Sequence, residues 1–286
     1  MESVVQNAES VIRLSLFFGL FVIFGVFEVL WPRKSLTSPK LSRWFGNLSI
    51  QIGNAVLLRL VFAIVGLTAV GFSAFIEANQ FGLLHQINLP QVLGLLLGFL
   101  ILDGAVYGQH LVLHKVPVLW RLHRMHHADT DIDVTTGLRF HPLEILVSMA
   151  FKFAVILMFG VNPFTVLIFE IVLNATSMFN HANMALPPSL DRVLRLFVVT
   201  PDMHRVHHSV HTAEYNHNFG FNLPWWDRMF GTYQDQPVDG HDAMTIGLPT
   251  YRGPEWRSPW RLLRIPFDND TPRHAPDQGQ GQGHLT

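Results

Sequence analysis

Eight histidines in three short groups are the residues most able to do chemistry. His110 and His114 form HX3H; His123, His126 and His127 form HRMHH; His204, His207 and His208 form HRVHH. On a helix, residues three and four apart share a face with Cβ atoms about 5–6 Å apart. Each group can therefore present its imidazoles to one metal or to a close pair. Neutral imidazole suits Fe, Zn, Ni and Cu. A single tetrahedral zinc takes about four ligands, and this supply exceeds that. Two ions with five or six ligands each would use it. A polar interfacial layer could explain one such histidine, but not a recurring HRxHH. The chain has no cysteine, which excludes disulfides, thiolate sites, iron–sulfur clusters and a cysteine nucleophile. It has neither HExxH nor a nucleophile elbow, which argues against a zinc or serine hydrolase.

The elements that must position these groups read as membrane helices. Hydrophobic residues make up 49 % of the 286 and charged residues 14 %, where a soluble domain carries nearer a quarter charged. The net charge of -1 offers no basic surface for nucleic acid. The 23 Phe and 7 Trp suit contact with lipid or a lipid ligand. Residues 11–31 form a first span, retained because no cleavage pattern follows LWPRK. Glu28 lies near its end, within reach of the interface. The following loop, with Arg33, Lys34, Lys40 and Arg43, is the most basic in the chain, which places it in the cytoplasm. A second span covers 50–76, with Arg59 toward its cytoplasmic end, facing the bundle interior or snorkelling to the interface. Residues 77–90 connect externally and carry His85, which is thereby separated from the other histidines.

The third span, 91–109, returns to the cytoplasmic side and delivers His110 there. Asp103 and Tyr107 share its face, and Asp103 is a candidate partner for a ligating imidazole. Residues 115–142 are too polar to span. Residues 143–180 read as a hairpin broken at Gly160–Pro163, spanning or partly re-entrant, so that His181 also returns to the cytoplasmic side. Three crossings and a hairpin bring all three groups to one membrane face. Arg121, Arg124, Arg139 and Arg205 face anionic headgroups or brace Asp129, Asp131, Asp133 and Asp202. Residues 182–230 read as interfacial and 231–267 as an irregular cytoplasmic segment whose WRLLRIPF can lie on the membrane surface. The tail 268–286, with His274 and His284, has a disordered composition.

The three boxes in this order resemble the fatty acid hydroxylase / sterol desaturase family of membrane-bound di-iron enzymes, over about residues 95–235. The resemblance implies an all-α fold, an integral membrane helical bundle under a cytosolic histidine-rich cap. Its organisation would be 1–90 N-terminal membrane helices, 91–235 the catalytic domain, 236–267 a C-terminal cytosolic segment and 268–286 the tail. It implies a metal set of His110, His114, His123, His126, His127, His204, His207 and His208. To these it adds His181 in FNHAN, and His217 in NHNFG as a ligand or an orienting group. Some members carry a further histidine where this chain has Ser177. Around the metals, Asp103, His141, Glu170, Asn174 and His211 are the supporting candidates. His141, in RFHPLE, would hydrogen-bond between cap and membrane. Glu170 and Asn174 would line the cavity or hold a water, with plain packing equally open for Asn174.

The resemblance further implies two iron ions, O2 as co-substrate and oxidation of an unactivated C–H bond in a membrane lipid: fatty acyl, sterol or related hydrocarbon. Hydroxylation and desaturation both remain open. No GxGxxG fingerprint or fused haem domain is present, so electrons would come from a separate reductase with a ferredoxin-like or cytochrome b5-like carrier. The expected location is a bacterial inner (cytoplasmic) membrane with the histidines on the cytoplasmic side. Two other classes compete: a zinc-dependent membrane hydrolase, and a membrane metal-binding or transport protein. The latter would place its ligands along the spans near the midplane, not at their ends.

Overall fold

The computed structural model describes residues 2–269, with side chains from Ser10 onward. His274, His284 and most of the tail lie outside the described residues. The described chain is all-α; only two isolated bridges, Pro32 to Met184 and Ser209 to Ile246, have β character. Five helical stretches are long and apolar enough to cross a membrane. Helix α1 runs Glu2–Leu30, α2 Lys40–Val65, α3 Ala69–Ala78 and α4 Gln91–Lys115. Then come α5 Pro117–His127, α6 Pro142–Phe159, α7 Pro163–His181, α8 Pro188–Leu194, α9 Pro201–His207, α10 Thr212–Tyr215 and α11 Trp225–Phe230.

The outer faces of the long helices stay apolar and uncovered. Val11, Phe18 and Val29 on α1, Ile64 on α2 and Val92 on α4 are all more than half exposed, as expected of side chains solvated by lipid. The core between helices is apolar too: Ala69 and Ile76 of α3 pack with Leu102 of α4, Val155 and Ile156 of α6, and Val166 and Phe169 of α7.

The helix starts share one local device. Pro142, Pro163 and Pro201 each occupy a first helical position, where the missing N–H costs nothing. The residue before each proline caps the helix: His141 accepts from the Leu143 N–H, Asn162 from Phe164 and Thr200 from Met203. Gly160 ends α6 with φ +68°, and its backbone meets that of Gly82, φ +96°, where any Cβ would collide. That contact sets the 160–163 turn against the 77–90 connection. The histidine-bearing ends of α4 and α7 therefore lie at the opposite end of the bundle, and His85, against Gly160, is remote from them.

Two expectations change. The stretch 50–76 is not one helix: α2 begins at Lys40, ends in a left-handed Gly66, and α3 follows separately. Arg59 thus sits nineteen residues into α2, an exposed side chain on the wall of an open cavity, not near the helix start. Glu28 is buried; it accepts from the Val134 N–H at 2.6 Å and the Asn183 N–H at 2.9 Å, and pairs with Lys40 at 3.2 Å. It clips the cap to α1. WRLLRIPF packs one side onto the protein. Leu262 and Ile265 are fully buried with Trp120 and Met125, so this segment covers the outer side of α5. Its exposed residues are Trp260, Arg261, Arg264 and Phe267.

Candidate metal centre

Nine histidines converge in two adjacent groups. His110, His114, His123, His127 and His207 form one; His126, His181, His204 and His208 form the other. Within each group the ring nitrogens lie within 4.8 Å of one another, and every residue is buried. The division follows helical spacing in a way the boxes alone do not reveal. Each i, i+4 pair stays together: 110 with 114, 123 with 127, 204 with 208. The middle histidine of each HX2HH box, His126 or His207, crosses to the other group. Boxes two and three therefore each tie both groups together, and the rings of His127 and His208 stack at 4.6 Å across the divide.

Backbone carbonyls set the tautomers. His110 Nδ1 donates to Phe219 O, His181 Nδ1 to Ser177 O and His207 Nδ1 to His217 O, all at 2.7 Å; His126 Nδ1 donates to Arg139 O at 3.3 Å. His123 Nδ1 donates to Glu144 Oε1 at 2.7 Å. A carbonyl only accepts, so these rings carry hydrogen on Nδ1 and a lone pair on Nε2. Those lone pairs face each other: His110 Nε2 and His123 Nε2 are 3.1 Å apart, and His181 Nε2 is 3.1 Å from His126 Nε2 and 3.0 Å from His204 Nε2. Two lone pairs at that distance repel unless a cation lies between them. With metal–nitrogen bonds of about 2.1 Å, cis ligands of an octahedral ion lie about 3.0 Å apart, so the spacing suits metal. Other ring nitrogens, on His114, His127 and His208 among them, are buried without a protein partner. Leaving each unsatisfied would cost about 1–3 kcal/mol.

Electrostatics keeps these ligands in the binding form. Burial, then neighbouring imidazoles, hold His126, His127, His204 and His208 well below the ordinary imidazole pKa. Burial lowers His207 to about 3, against its bond to the His217 carbonyl. Neutral imidazole is the form that ligates a metal.

The supporting shell differs from the sequence expectation. Asp103 does not touch an imidazole; it accepts from Trp226 Nε1 at 2.7 Å. That bond anchors α11, whose Asp227 accepts the Phe219 and Gly220 N–H groups at 2.8 Å and so presents the Phe219 carbonyl to His110. Burial pushes Asp227 up to about 6, with its hydrogen bonds opposing. The carboxylate behind a clustered histidine is Glu144, in the same RFHPLE that supplied His141. His141 caps α6 and reaches Leu263 O at 3.3 Å, joining helix to C-terminal segment. The His217 ring is outside both groups, its Nδ1 donating to Ala213 O at 2.6 Å; only its backbone carbonyl serves the centre. His211 pairs with exposed Asp239 at 2.7 Å, away from the groups. Ser177 donates to Gly137 O at 2.9 Å, and the 137 position has no room for a side chain beside it.

Arg43 was missed, hidden in a run of basic loop residues. It enters the cap fully buried, holding Asp129 through two bonds of 2.7 and 2.8 Å and Asp133 at 2.6 Å. Burial alone would raise the Asp129 pKa, but Arg43 and Arg139 hold it below the usual carboxylate range. This pins the loop after His127 to α2. Asp131 accepts from the Thr37 and Ser38 N–H groups. Among the expected braces, Arg139 lies 3.7 Å from Asp129 and Arg205 3.5 Å from Asp202, while Arg121 and Arg124 bind backbone carbonyls of 265–268.

A cavity of about 590 Å³ opens from this centre into the membrane helices. His110, His123 and Glu144 line its histidine end together with Phe140 and Phe221; Leu102, Val155 and Phe169 line its middle. Glu170 and Asn174 also line it, the latter donating to Glu170 O at 2.8 Å.

An integral membrane chain with two buried histidine groups at one end of its bundle has a site consistent with a pair of metals. Comparison with known proteins narrows this. The Fatty acid hydroxylase family model matches residues 95–232. The ornithine lipid hydroxylase OlsE of Rhizobium tropici is 26 % identical over 225 residues, 75 % of this chain and 65 % of that protein. Cholesterol 25-hydroxylase of Rattus norvegicus is 28 % identical over 152 residues, 52 % of this chain and 50 % of its own length. Alkylglycerol monooxygenase of Homo sapiens is 30 % identical over 141 residues, 48 % of this chain and 29 % of its own length. The chain thus spans less than two thirds of each of these relatives. No solved structure matches it. The three boxes that assemble into the two groups all lie within the stretch this family model matches, and over that stretch the chain is similar to the fatty acid hydroxylase / sterol desaturase family.

Proposed function

We propose that this protein is an O2-dependent di-iron enzyme that hydroxylates or desaturates a membrane lipid, with electrons from a separate donor. The observation that carries the reading is the placement of five and four buried imidazoles beside a mostly apolar cavity within membrane helices, with His110 and His123 on its wall. All-nitrogen ligation without thiolate suits iron that must bind both protein and O2, and the four-histidine group falls short of six ligands, leaving positions for exchangeable oxygen donors. His110, His114, His123, His127 and His207 would hold one ion and His126, His181, His204 and His208 the other. When bound and reduced, the iron pair would supply O2 activation and attack on an unactivated C–H bond.

The residues of this chain do the rest. Glu144 holds the His123 Nδ1 proton and so keeps Nε2 turned inward. The Phe219 and His217 carbonyls do the same for His110 and His207. The hydrocarbon walls align a chain or ring system toward the histidine end, and Phe140 and Phe221 keep bulk water from it. The relatives' names support a lipid-type substrate: an ornithine lipid hydroxylase, a cholesterol 25-hydroxylase and an alkylglycerol monooxygenase. The basic run Arg33 to Arg43 lies at the histidine end and supports a cytoplasmic placement in a bacterial inner membrane. An electron carrier of ferredoxin or cytochrome b5 type would then approach from that side.

The test is metal content together with O2 consumption. Protein purified anaerobically should hold about two irons per chain and consume O2 with a reductant and lipid extract. One zinc per chain with no O2-dependent product would overturn the reading.

A further inference from the structure

On the membrane side of the histidines, the chain from Phe219 to Thr232 is wedged between α4 and α7. Against α4, Trp226 Nε1 donates to Asp103 at 2.7 Å, and a Cβ at position 104 would come within 3.1 Å of the Trp226 ring. One turn on, Phe230 stacks on Tyr107 with ring centres 5.5 Å apart. Against α7, Thr176 donates to the Asn222 side chain. Both helices serve as rulers. Asp103 lies seven residues before His110, a rise of about 10 Å. Thr176 lies five residues before His181, a rise of about 8 Å. Helix α7 itself has 19 residues, about 28 Å, close to the roughly 30 Å of a hydrocarbon core. With α7 crossing that core, its histidine end lies at the hydrocarbon boundary, and the 219–232 segment lies within the core.

Non-helical backbone persists at that depth only where protein satisfies its polar groups. The turn before α11 meets the demand. The Phe219 and Gly220 N–H groups donate to Asp227, each at 2.8 Å. The Phe219 carbonyl accepts from His110 at 2.7 Å, the Phe221 carbonyl from Asn180 at 3.1 Å and the Asn222 carbonyl from the Val199 N–H at 2.9 Å. The outer face of the segment has the opposite character: Trp225, Met229 and Phe230 are exposed. The end of α8 and the turn after it extend this face with Val193, Leu196 and Phe197, also exposed, and Trp225 Nε1 joins the two parts by donating to Leu196 O at 2.7 Å.

We infer that residues 219–232 form a re-entrant segment sunk about 5–10 Å into the leaflet on the histidine side, with the end of α8 lying in the interface beside it. The partner of this apolar face is the acyl region of the bilayer. The turn that orients His110 through the Phe219 carbonyl is then held in place from the membrane side, not from the aqueous cap. The inference needs only that α4 and α7 cross the membrane, and it stands whichever molecule the centre oxidises.

The chain has no cysteine, so one introduced thiol can be labelled cleanly. Phe197→Cys and Met229→Cys would each carry an environment-sensitive fluorophore in the full chain with its native metals, in vesicles of phosphatidylethanolamine and phosphatidylglycerol. Phe18→Cys, on the outer face of α1, gives the lipid reference, and Gln236→Cys, exposed on the cap, the water reference. All four side chains are exposed, and metal content and thermal midpoint certify each labelled protein as folded. The labels at 197 and 229 should be quenched by lipids brominated on their acyl chains, as the label at 18 is, with a depth about 5–10 Å below the phosphates. They should resist quenching by aqueous iodide. Iodide quenching at 197 or 229 equal to that at 236 overturns the proposal. Shielding from both quenchers overturns it too, because a protein or a second copy then covers the face.

Discussion

Replacing Glu144 tests whether a carboxylate behind the centre sets its affinity for metal. Its Oε1 lies 2.7 Å from His123 Nδ1, and the two side chains are 3 % and 1 % exposed. Solvent cannot substitute for a bond at that depth. Hydrogen bonds to a charged group contribute about 1.5–3 kcal/mol. Changing such an outer partner of a ligating histidine weakens metal binding about 10–100-fold, which is about 1.4–2.7 kcal/mol, so the two routes agree. Glu144→Gln keeps the shape and an accepting oxygen but removes the charge; it should lie at the tenfold end. Glu144→Ala leaves His123 free to rotate and should lie at the hundredfold end. The assay is competition for iron against a graded chelator series, with thermal midpoints to show that the helices remain assembled. Iron affinity within about twofold of the parent in Glu144→Ala would refute the reasoning and return Glu144 to a packing role at the start of α6.

Other perturbations separate the residues around the centre. His126→Ala should lose bound metal and O2-dependent turnover together, whereas His217→Ala should retain both, since only its backbone carbonyl serves His207; equal losses in metal analysis would contradict the grouping. Arg43→Met leaves Asp133 buried without its cation and Asp129 with only Arg139 at 3.7 Å, at a cost of about 3–5 kcal/mol, seen as a lowered thermal midpoint and loosened metal; an unchanged midpoint would count against the brace. The metal-free chain should weaken in acid. His126, His127, His204, His207 and His208 have folded pKa values below the unfolded value, so below about pH 6.5 the unfolded chain binds more protons and stability falls with falling pH. The slope is up to about 1.4 kcal/mol per pH unit for each such histidine. A midpoint that stays flat from pH 7.5 to 5.5, measured by calorimetry, would show those rings to be solvated.

Much of the fold was legible because lipid is a simple solvent. A run of apolar residues without charge has few options in a membrane, so α1, α4 and the α6–α7 hairpin could be read directly. The break after Val65 could not, because Gly66 sits inside an apolar run and only its left-handed backbone reveals the turn. Glu28 and Arg43 were misplaced for one reason: a charge near a helix end looks solvent-facing until a partner is found, and the partners that bury them lie 86 to 155 residues away. Asp103 shared a helical face with His110, but the face was claimed by Trp226, 123 residues on.

The sequence by itself determined the ligand chemistry: imidazoles without thiolates, repeated at i, i+3 and i+4, at the ends of membrane helices whose parity could bring them together. Helical spacing is local, so it survives any arrangement of the rest. Only the tertiary structure decided how nine rings divide into five and four. It also decided that Glu144 and not Asp103 stands behind an imidazole. These depend on which helix faces which, and that is settled by packing between residues distant in the chain.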